Sequence, residues 1–241
     1  YLTRLGLKSG DAIGATIPGI PSILSGRTDK TAWGITSAYV DDQDIFLEKL
    51  NPLNNSQYKT EFGNLNFEMT ETLIKVNNSP DITITIKKTR NGPVLSGKQF
   101  NITSIVPEGY VASLSWTALS PKNTSLQAAI RIMKAQNTLE IIHAGSEFYA
   151  PAQNLVAIDK NTIAMKTIGK IPKRSSGHTT SAKTPSEGWI PNNRWNGYFP
   201  YASNPEDIFP KSGTIINTNN RLVNFKFPNH ITYDYGDTQR I

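Results

Sequence analysis

Residues 110–149 read YVASLSW-TALSPKNT-SLQAAIRIMKA-QN-TLEIIHAGSEFY, and the change of period inside this stretch decides the fold class. Residues 110–116 have the length and β-rich character of a strand, whereas 125–135 and 138–149 carry apolar residues at helical spacing. Ser125 ahead of Leu126, and Asn137 or Thr138 ahead of Leu139 and Glu140, are expected helix starts, because a side-chain oxygen there accepts from exposed backbone amides. Upstream, strands are expected over residues 1–7, 12–17, 32–40, 45–50, 65–76 and 82–89. The run Ile82-Thr83-Ile84-Thr85-Ile86 alternates sides, and Asn77-Asn78-Ser79-Pro80 supplies the turn of a hairpin spanning 65–89. Downstream come short strands at 155–157 and 162–166, joined by a turn at 159–161. Residues 169–200, rich in Gly, Pro, Ser, Thr and Asn, read as a long loop. Strands, two helices and further strands imply an α+β chain with an antiparallel sheet, taken as a single domain over residues 1–241. No fixed-period repeat argues for a solenoid or propeller.

Composition narrows the function classes. The 241 residues are 37% hydrophobic and 18% charged, enough for a real core and unlike a coiled coil or a disordered tail. The formal charge of +6 is scattered; Lys170, Lys173 and Arg174 make the nearest approach to a cluster and read as solvated surface. No aromatic and arginine interleaving suggests a nucleic-acid interface. Without cysteine there is no disulfide, thiolate nucleophile or sulfur-ligated zinc. No apolar run reaches the length of a membrane span, and no signal segment is visible. The start at Tyr1 rather than Met suggests a piece of a longer protein.

The titratable residues offer few constellations. His143, His178 and His230 share no ligand spacing; His143 is expected in a packed helix face and the other two in loops. A Ser-His-Asp hydrolase lacks its Gly-x-Ser-x-Gly elbow. Two stretches are sharper. Tyr39-Val40-Asp41-Asp42-Gln43-Asp44 gathers hard oxygen donors at the end of an expected strand, which suits calcium as well as a solvated acidic turn. Residues 213–221, Gly-Thr-Ile-Ile-Asn-Thr-Asn-Asn-Arg, read as a strand that ends in amides, and a rigidly held Asn can donate to a developing oxyanion.

Taken together, several segments resemble the β subunit of the penicillin acylase family. They are residues 13–21 (IGATIPGIP), Gly26-Arg27-Thr28, residues 32–36 (AWGIT), Asp41 to Phe46 with Glu48, and Arg90-Asn91-Gly92-Pro93-Val94. Ser115-Trp116-Thr117, Ala152-Gln153-Asn154-Leu155, Trp195-Asn196-Gly197 and Asn219-Asn220-Arg221 follow in the family's order. The resemblance implies an N-terminal-nucleophile αββα sandwich of antiparallel sheets, hydrolysing a linear amide such as the N-acyl group of a β-lactam or an acyl-homoserine lactone. Its nucleophile would be an N-terminal serine freed by cleavage of a precursor, with its own α-amino group as base. That serine and the strand that carries it are expected upstream of Tyr1, so this stretch alone is expected to be inactive.

Position by position, the resemblance makes Asn219 the side-chain oxyanion donor and the backbone amide of Ser37 its partner, with Arg240 near the pocket entrance. Leu24, Ser25, Ile35, Trp116 and Gln153 would line the acyl pocket. An aliphatic Ile35 and a small Ser25 suggest an acyl group other than phenylacetyl. Asp41, Asp44 and the carbonyls of Gln43 and Thr180 match ligands of a structural calcium ion. A further carboxylate ligand would fall at His230 or Ile231, and neither supplies one. The implied partners are an α subunit and the remainder of the β subunit of the same precursor, together with a small N-acyl substrate. A periplasmic or secreted location is expected. The competing reading is a β-rich binding or structural module that shares the fold alone.

Overall fold

The computed structural model describes residues 1–224 and 226–233, and at residues 98 and 99 the backbone alone. In chain order the strands are β1 (Leu2–Leu7), β2 (Gly10–Ala15), β3 (Ser25–Arg27), β4 (Thr31–Ser37), β5 (Gln43–Asn51), β6 (Asn54–Thr60), β7 (Gly63–Asn66), β8 (Glu68–Ile74), β9 (Ile82–Thr89) and β10 (Gly92–Pro93). A short helix α1 (Gly97–Phe100) precedes β11 (Tyr110–Trp116), followed by α2 (Ser125–Lys134), α3 (Thr138–Ala144), β12 (Gln153–Asp159), β13 (Ile163–Ile168), β14 (Ser186–Glu187) and β15 (Glu206–Ile208). The chain divides into two compact units. One comprises Tyr1–Asp42, Thr117–Pro172 and Tyr198–Ile241; the other comprises Gln43–Trp116 and Lys173–Gly197.

The first unit is a seven-stranded sheet in the order β1-β2-β3-β4-β12-β13-β15, antiparallel at every pairing. Its core is the union of one sheet face with two helix stripes: Trp33, Leu155, Ala157, Ala164 and Ile168 from strands, Ile132 and Met133 from α2, and Ile141, Ile142 and Ala144 from α3. Each fully buried aliphatic side chain of this kind contributes roughly 1.5–3 kcal/mol relative to exposure. Strands β2 and β3 approach too closely for side chains where Gly14 faces Gly26; a Cβ on Gly14 would lie 2.2 Å from the Ser25 carbonyl oxygen.

Helix α3 starts where a cap permits it. The Asn137 side chain accepts the Glu140 amide proton at 2.9 Å, while the Glu140 carboxylate reaches back to the Gln136 N–H at 2.8 Å, so two orphan amides are satisfied reciprocally. Helix α2 differs from expectation. Its cap is Thr124 with no side-chain cap bond, and Ser125 Oγ instead accepts from the Tyr149 and Ala150 amides and donates to the Ala150 carbonyl. Ser125 thereby ties the start of α2 to the segment entering β12.

The second unit centres on β5, which pairs with β11 and β6, with β7 beyond β6 and β14 parallel to β5; β10-β9-β8 form a separate three-stranded sheet. Along β5, Asp44, Phe46 and Glu48 share the buried face. Gly92, at φ 133°, lets β10 pass β11, since a Cβ there would sit 2.0 Å from the Leu114 carbonyl oxygen.

Several sequence expectations are corrected. The strand expected over 65–76 breaks at Phe67, which is buried against Tyr58 and donates its N–H to the Ser56 carbonyl. The second helix stops at Ala144 and tightens into a single 3-10 turn, Gly145–Glu147. The strand expected to reach Val40 ends at Ser37, because Tyr39 takes φ 50°, so Asp41 lies in a connection and not at a strand end. Residues 213–221 are irregular, and Asn219 at φ 64° has left the extended region altogether. His143 is exposed on α3 and is no part of the core. Among the described residues, no helix is long and apolar enough to cross a membrane.

Candidate functional site

The end of β4 is the organising element of the first unit. Successive residues of a strand face opposite sides, so Trp33, Ile35 and Ser37 look toward the helices while Thr36 looks the other way. Ser37 pairs with Gln153 and Thr36 with Asn154 across the β4–β12 ladder. On the helical side, Ile35 and Gln153 line a cavity of about 300 Å³ together with Leu24, Leu126, Ala129 and Phe148. That wall is aliphatic and aromatic, with Ser22, Ser125 and Gln153 as its polar points. A mostly apolar hollow with a few convergent polar groups is the usual form of a small-molecule site.

The other face of the same strands is polar and buried. Asn154 is 2% exposed; its Oδ1 accepts from Thr167 Oγ1 at 2.9 Å, and its Nδ2 lies 3.5 Å from both Thr36 Oγ1 and the Ser37 carbonyl. Thr36 Oγ1 donates to Asn217 Oδ1 at 2.8 Å, and the same oxygen accepts the Asn219 amide proton at 3.0 Å. This bond closes a tight turn that the left-handed backbone of Asn219 completes, a conformation Asn tolerates better than most residues. From it, Asn219 Nδ2 donates to the Ser37 carbonyl at 2.9 Å. Every member of this network among the described residues is neutral.

The donors of β4 complete the arrangement. Ala38 N–H bonds to the Ala152 carbonyl, so by strand alternation the N–H of Ser37 points away from β12. Two residues earlier on that side, Ile35 N–H meets Ser25 Oγ at 3.4 Å, and β3 pairs with β4 only at Ala32 and Trp33. Asn219, Ser37, Ile35, Gln153 and Leu24 are thus brought together around one strand end. Ser25 touches β4 through its hydroxyl but is not among the residues lining the cavity. Trp116 closes β11 in the second unit, and Arg240 lies outside the described residues.

Three of the four residues matched to calcium ligands, Asp41, Asp44 and Thr180, are otherwise engaged. In the first unit, Asp41 meets His230 Nε2 at 2.5 Å and Thr232 Oγ1 at 2.9 Å. In the second, the Asp44 side chain is 2% exposed and is held by a bidentate fork, Arg174 Nη2 to Oδ1 at 2.7 Å and Arg174 Nε to Oδ2 at 3.0 Å. Trp195 Nε1 adds a third bond to Oδ2 at 2.6 Å. The Thr180 carbonyl accepts the Lys183 N–H at 3.1 Å, and Gln43 opens β5 opposite Trp116. Calcium takes six to eight oxygen ligands. Among the described residues, no group of three or more acidic, His or Cys side chains is placed to hold a metal. The donor set at Asp44 does not fit calcium, because a guanidinium already occupies both carboxylate oxygens. Close by, burial, reinforced by the charge of Arg174, lowers the pKa of His178 below the usual imidazole value, while Asp44 pulls the other way.

Sequence reading missed Arg174, Asn154 and Asn217 as site-forming residues. Arg174 stood in the only basic stretch and looked like surface. Asn154 and Asn217 sat inside quoted segments, but nothing local distinguished them from turn amides.

A family model described as Penicillin amidase matches residues 1–241. An acyl-homoserine lactone acylase QuiP of Pseudomonas fluorescens is 31% identical over 92% of this chain, which covers 27% of that protein. Penicillin G acylase of Escherichia coli is 29% identical over 91% of the chain, covering 25% of that protein. Penicillin acylase 2 proenzyme of a Pseudomonas strain is 26% identical over 93% of the chain, covering 28% of that protein. Among solved structures, thermostable penicillin G acylase from Alcaligenes faecalis superposes with a TM-score of 0.79 at 26% identity, over 97% of this chain and 41% of that one. The chain therefore spans about a quarter of the length of these curated relatives. A full-length family match, joined to the shared fold, makes this chain a member of the penicillin amidase family.

Proposed function

We propose that this chain is the acyl-binding and oxyanion-stabilising part of an amide hydrolase that removes an acyl group from an N-acyl compound. The observation that carries the reading is the contact of Asn219 Nδ2 with the Ser37 carbonyl, 2.9 Å, at the strand end whose Ile35 and cross-strand partner Gln153 line an apolar cavity. Hydrolysis of an amide passes through a tetrahedral oxyanion, and fixed neutral donors stabilise it without reorganising as the charge appears. The Asn219 amide and the Ser37 N–H are the donors assigned to that task. A pre-held Asn suits it: the Asn217 turn and Thr36 fix its backbone before substrate arrives.

The nucleophile in this reading is the N-terminal serine of the mature subunit, supplied by sequence outside these 241 residues. Its α-amino group takes the hydroxyl proton as the oxygen attacks the acyl carbon. The tetrahedral intermediate then collapses with cleavage of the C–N bond, the ammonium passing its proton to the departing amine. Water attacks the resulting acyl-enzyme to release the acid and restore the serine. The αββα sandwich, the precursor cleaved into subunits, and export to the periplasm or beyond belong to the same proposal; one relative's name, a proenzyme, supports processing. The aliphatic lining by Leu24, Ile35 and Leu126 favours a linear acyl chain over phenylacetyl.

The test is to express the full gene, look for two chains by mass spectrometry, and assay acyl release from homoserine lactones of graded chain length and from phenylacetyl amides. Two chains with preference for linear acyl groups are expected. A single unprocessed chain without acyl release would favour the binding-module reading.

A further inference from the structure

We propose that Arg174 is the resident cation of Asp44, so that this part of the fold is secured by an ion pair and takes no calcium there. Three observations carry it. First, the pairing is geometrically complete: both Asp44 oxygens accept from the Arg174 fork, and Oδ2 also accepts from Trp195. A planar guanidinium matches a carboxylate in this bidentate form as an ammonium cannot. Second, the pair is buried, with 9% of the Arg174 side chain and 2% of the Asp44 side chain exposed, and the Trp195 ring lies 5.9 Å from the guanidinium carbon. A cation entering at Asp44 has to displace a charge already neutralised and stacked on an aromatic face.

Third, the space beside Asp44 is wrong for a divalent ion. A cavity of about 210 Å³ adjoins it, lined by Gln43, Asp44, Ile45 and residues 182–186. Asp44 is the single carboxylate in that lining, and Lys183 adds a positive charge. Calcium affinity falls as the ligand charge falls, and this lining offers it one acidic group against one ammonium. Of the two carbonyls matched to calcium ligands, that of Thr180 accepts the Lys183 N–H.

The experiment uses the processed enzyme from the full gene, melted with EDTA and with about 1 mM calcium, which covers the weak end of protein calcium sites. The proposal expects the same melting temperature in both and no saturable calcium uptake by calorimetry. A melt that EDTA lowers, calcium restores and Asp44→Asn abolishes overturns it. An EDTA-sensitive melt that survives Asp44→Asn puts the ion elsewhere and upholds Arg174 as the counterion. If the Asn variant yields no folded protein, Arg174→Lys decides. Losing the fork and the aromatic stacking should lower the melting temperature by about 5 °C, with no recovery on adding calcium; a variant as stable as wild type, or one restored by calcium, contradicts the proposal.

Discussion

Two regions of the molecule, the end of β4 and the length of β5, solve the problem of buried polarity in opposite ways. Around Ser37 and Asn219, among the described residues, neutral amides and hydroxyls are joined through Thr36, Asn154, Thr167 and Asn217. Along β5 the second unit buries full charges: Asp44 under Arg174, and Glu48, whose Oε1 accepts from Thr89, Asn91 and Ser113. A neutral donor network is ready to answer a charge that develops during a reaction. A carboxylate held by several fixed donors has no such freedom, and its work is to hold strands in place.

Breaking the charged side should cost most. Arg174→Ala leaves the Asp44 carboxylate buried and unpaired, and a loss of about 3–5 kcal/mol is expected in denaturant titrations. Replacing both partners together should recover part of that loss, since the uncompensated charge is then gone. Glu48→Ala strands three donors that now share Oε1, and about 1–3 kcal/mol is expected per buried donor left unsatisfied, so the unfolding midpoint should fall sharply.

These charged sites show what the sequence could and could not convey. Residues 110–116 and 82–89 were legible because their patterning is local and each strand is long enough to display it. The short strands β3, β10, β14 and β15 have two or three residues each, and they exist because a partner is present, not because of any pattern of their own. Arg174 lies 130 positions from Asp44, so a surface-like basic stretch hid a buried ion pair. The resemblance pairs Asn219 with the backbone amide of Ser37, and in the structure Asn219 Nδ2 donates to the Ser37 carbonyl at 2.9 Å. Yet the strand expected over 213–221 was a misreading, because Ile-Ile propensity gave way to a turn that Asn217 and Asn219 make with their own side chains and backbone.

A smaller effect is expected from a carboxylate at a helix start in the first unit. Asp159 accepts the Thr138 amide proton at the start of α3, and the amide protons of Asn161 and Thr162, all within 2.9 Å. These backbone donors hold its carboxyl well below the usual carboxylate range. Because the folded value is depressed, the stabilisation is fully present above the unfolded value near 4 and is lost as pH falls through the folded value. Asp159→Ala should cost about 1 kcal/mol at neutral pH, and the gap between variant and wild type should narrow in acid melts.

The assignment of Asn219 is tested most directly by Asn219→Ala in the processed full-length enzyme, with acyl release measured under saturating substrate. A fall in kcat of roughly 10²- to 10³-fold, with KM changed little, is the result expected for a lost oxyanion donor. Wild-type kcat in a folded, correctly cleaved Asn219→Ala enzyme would contradict it.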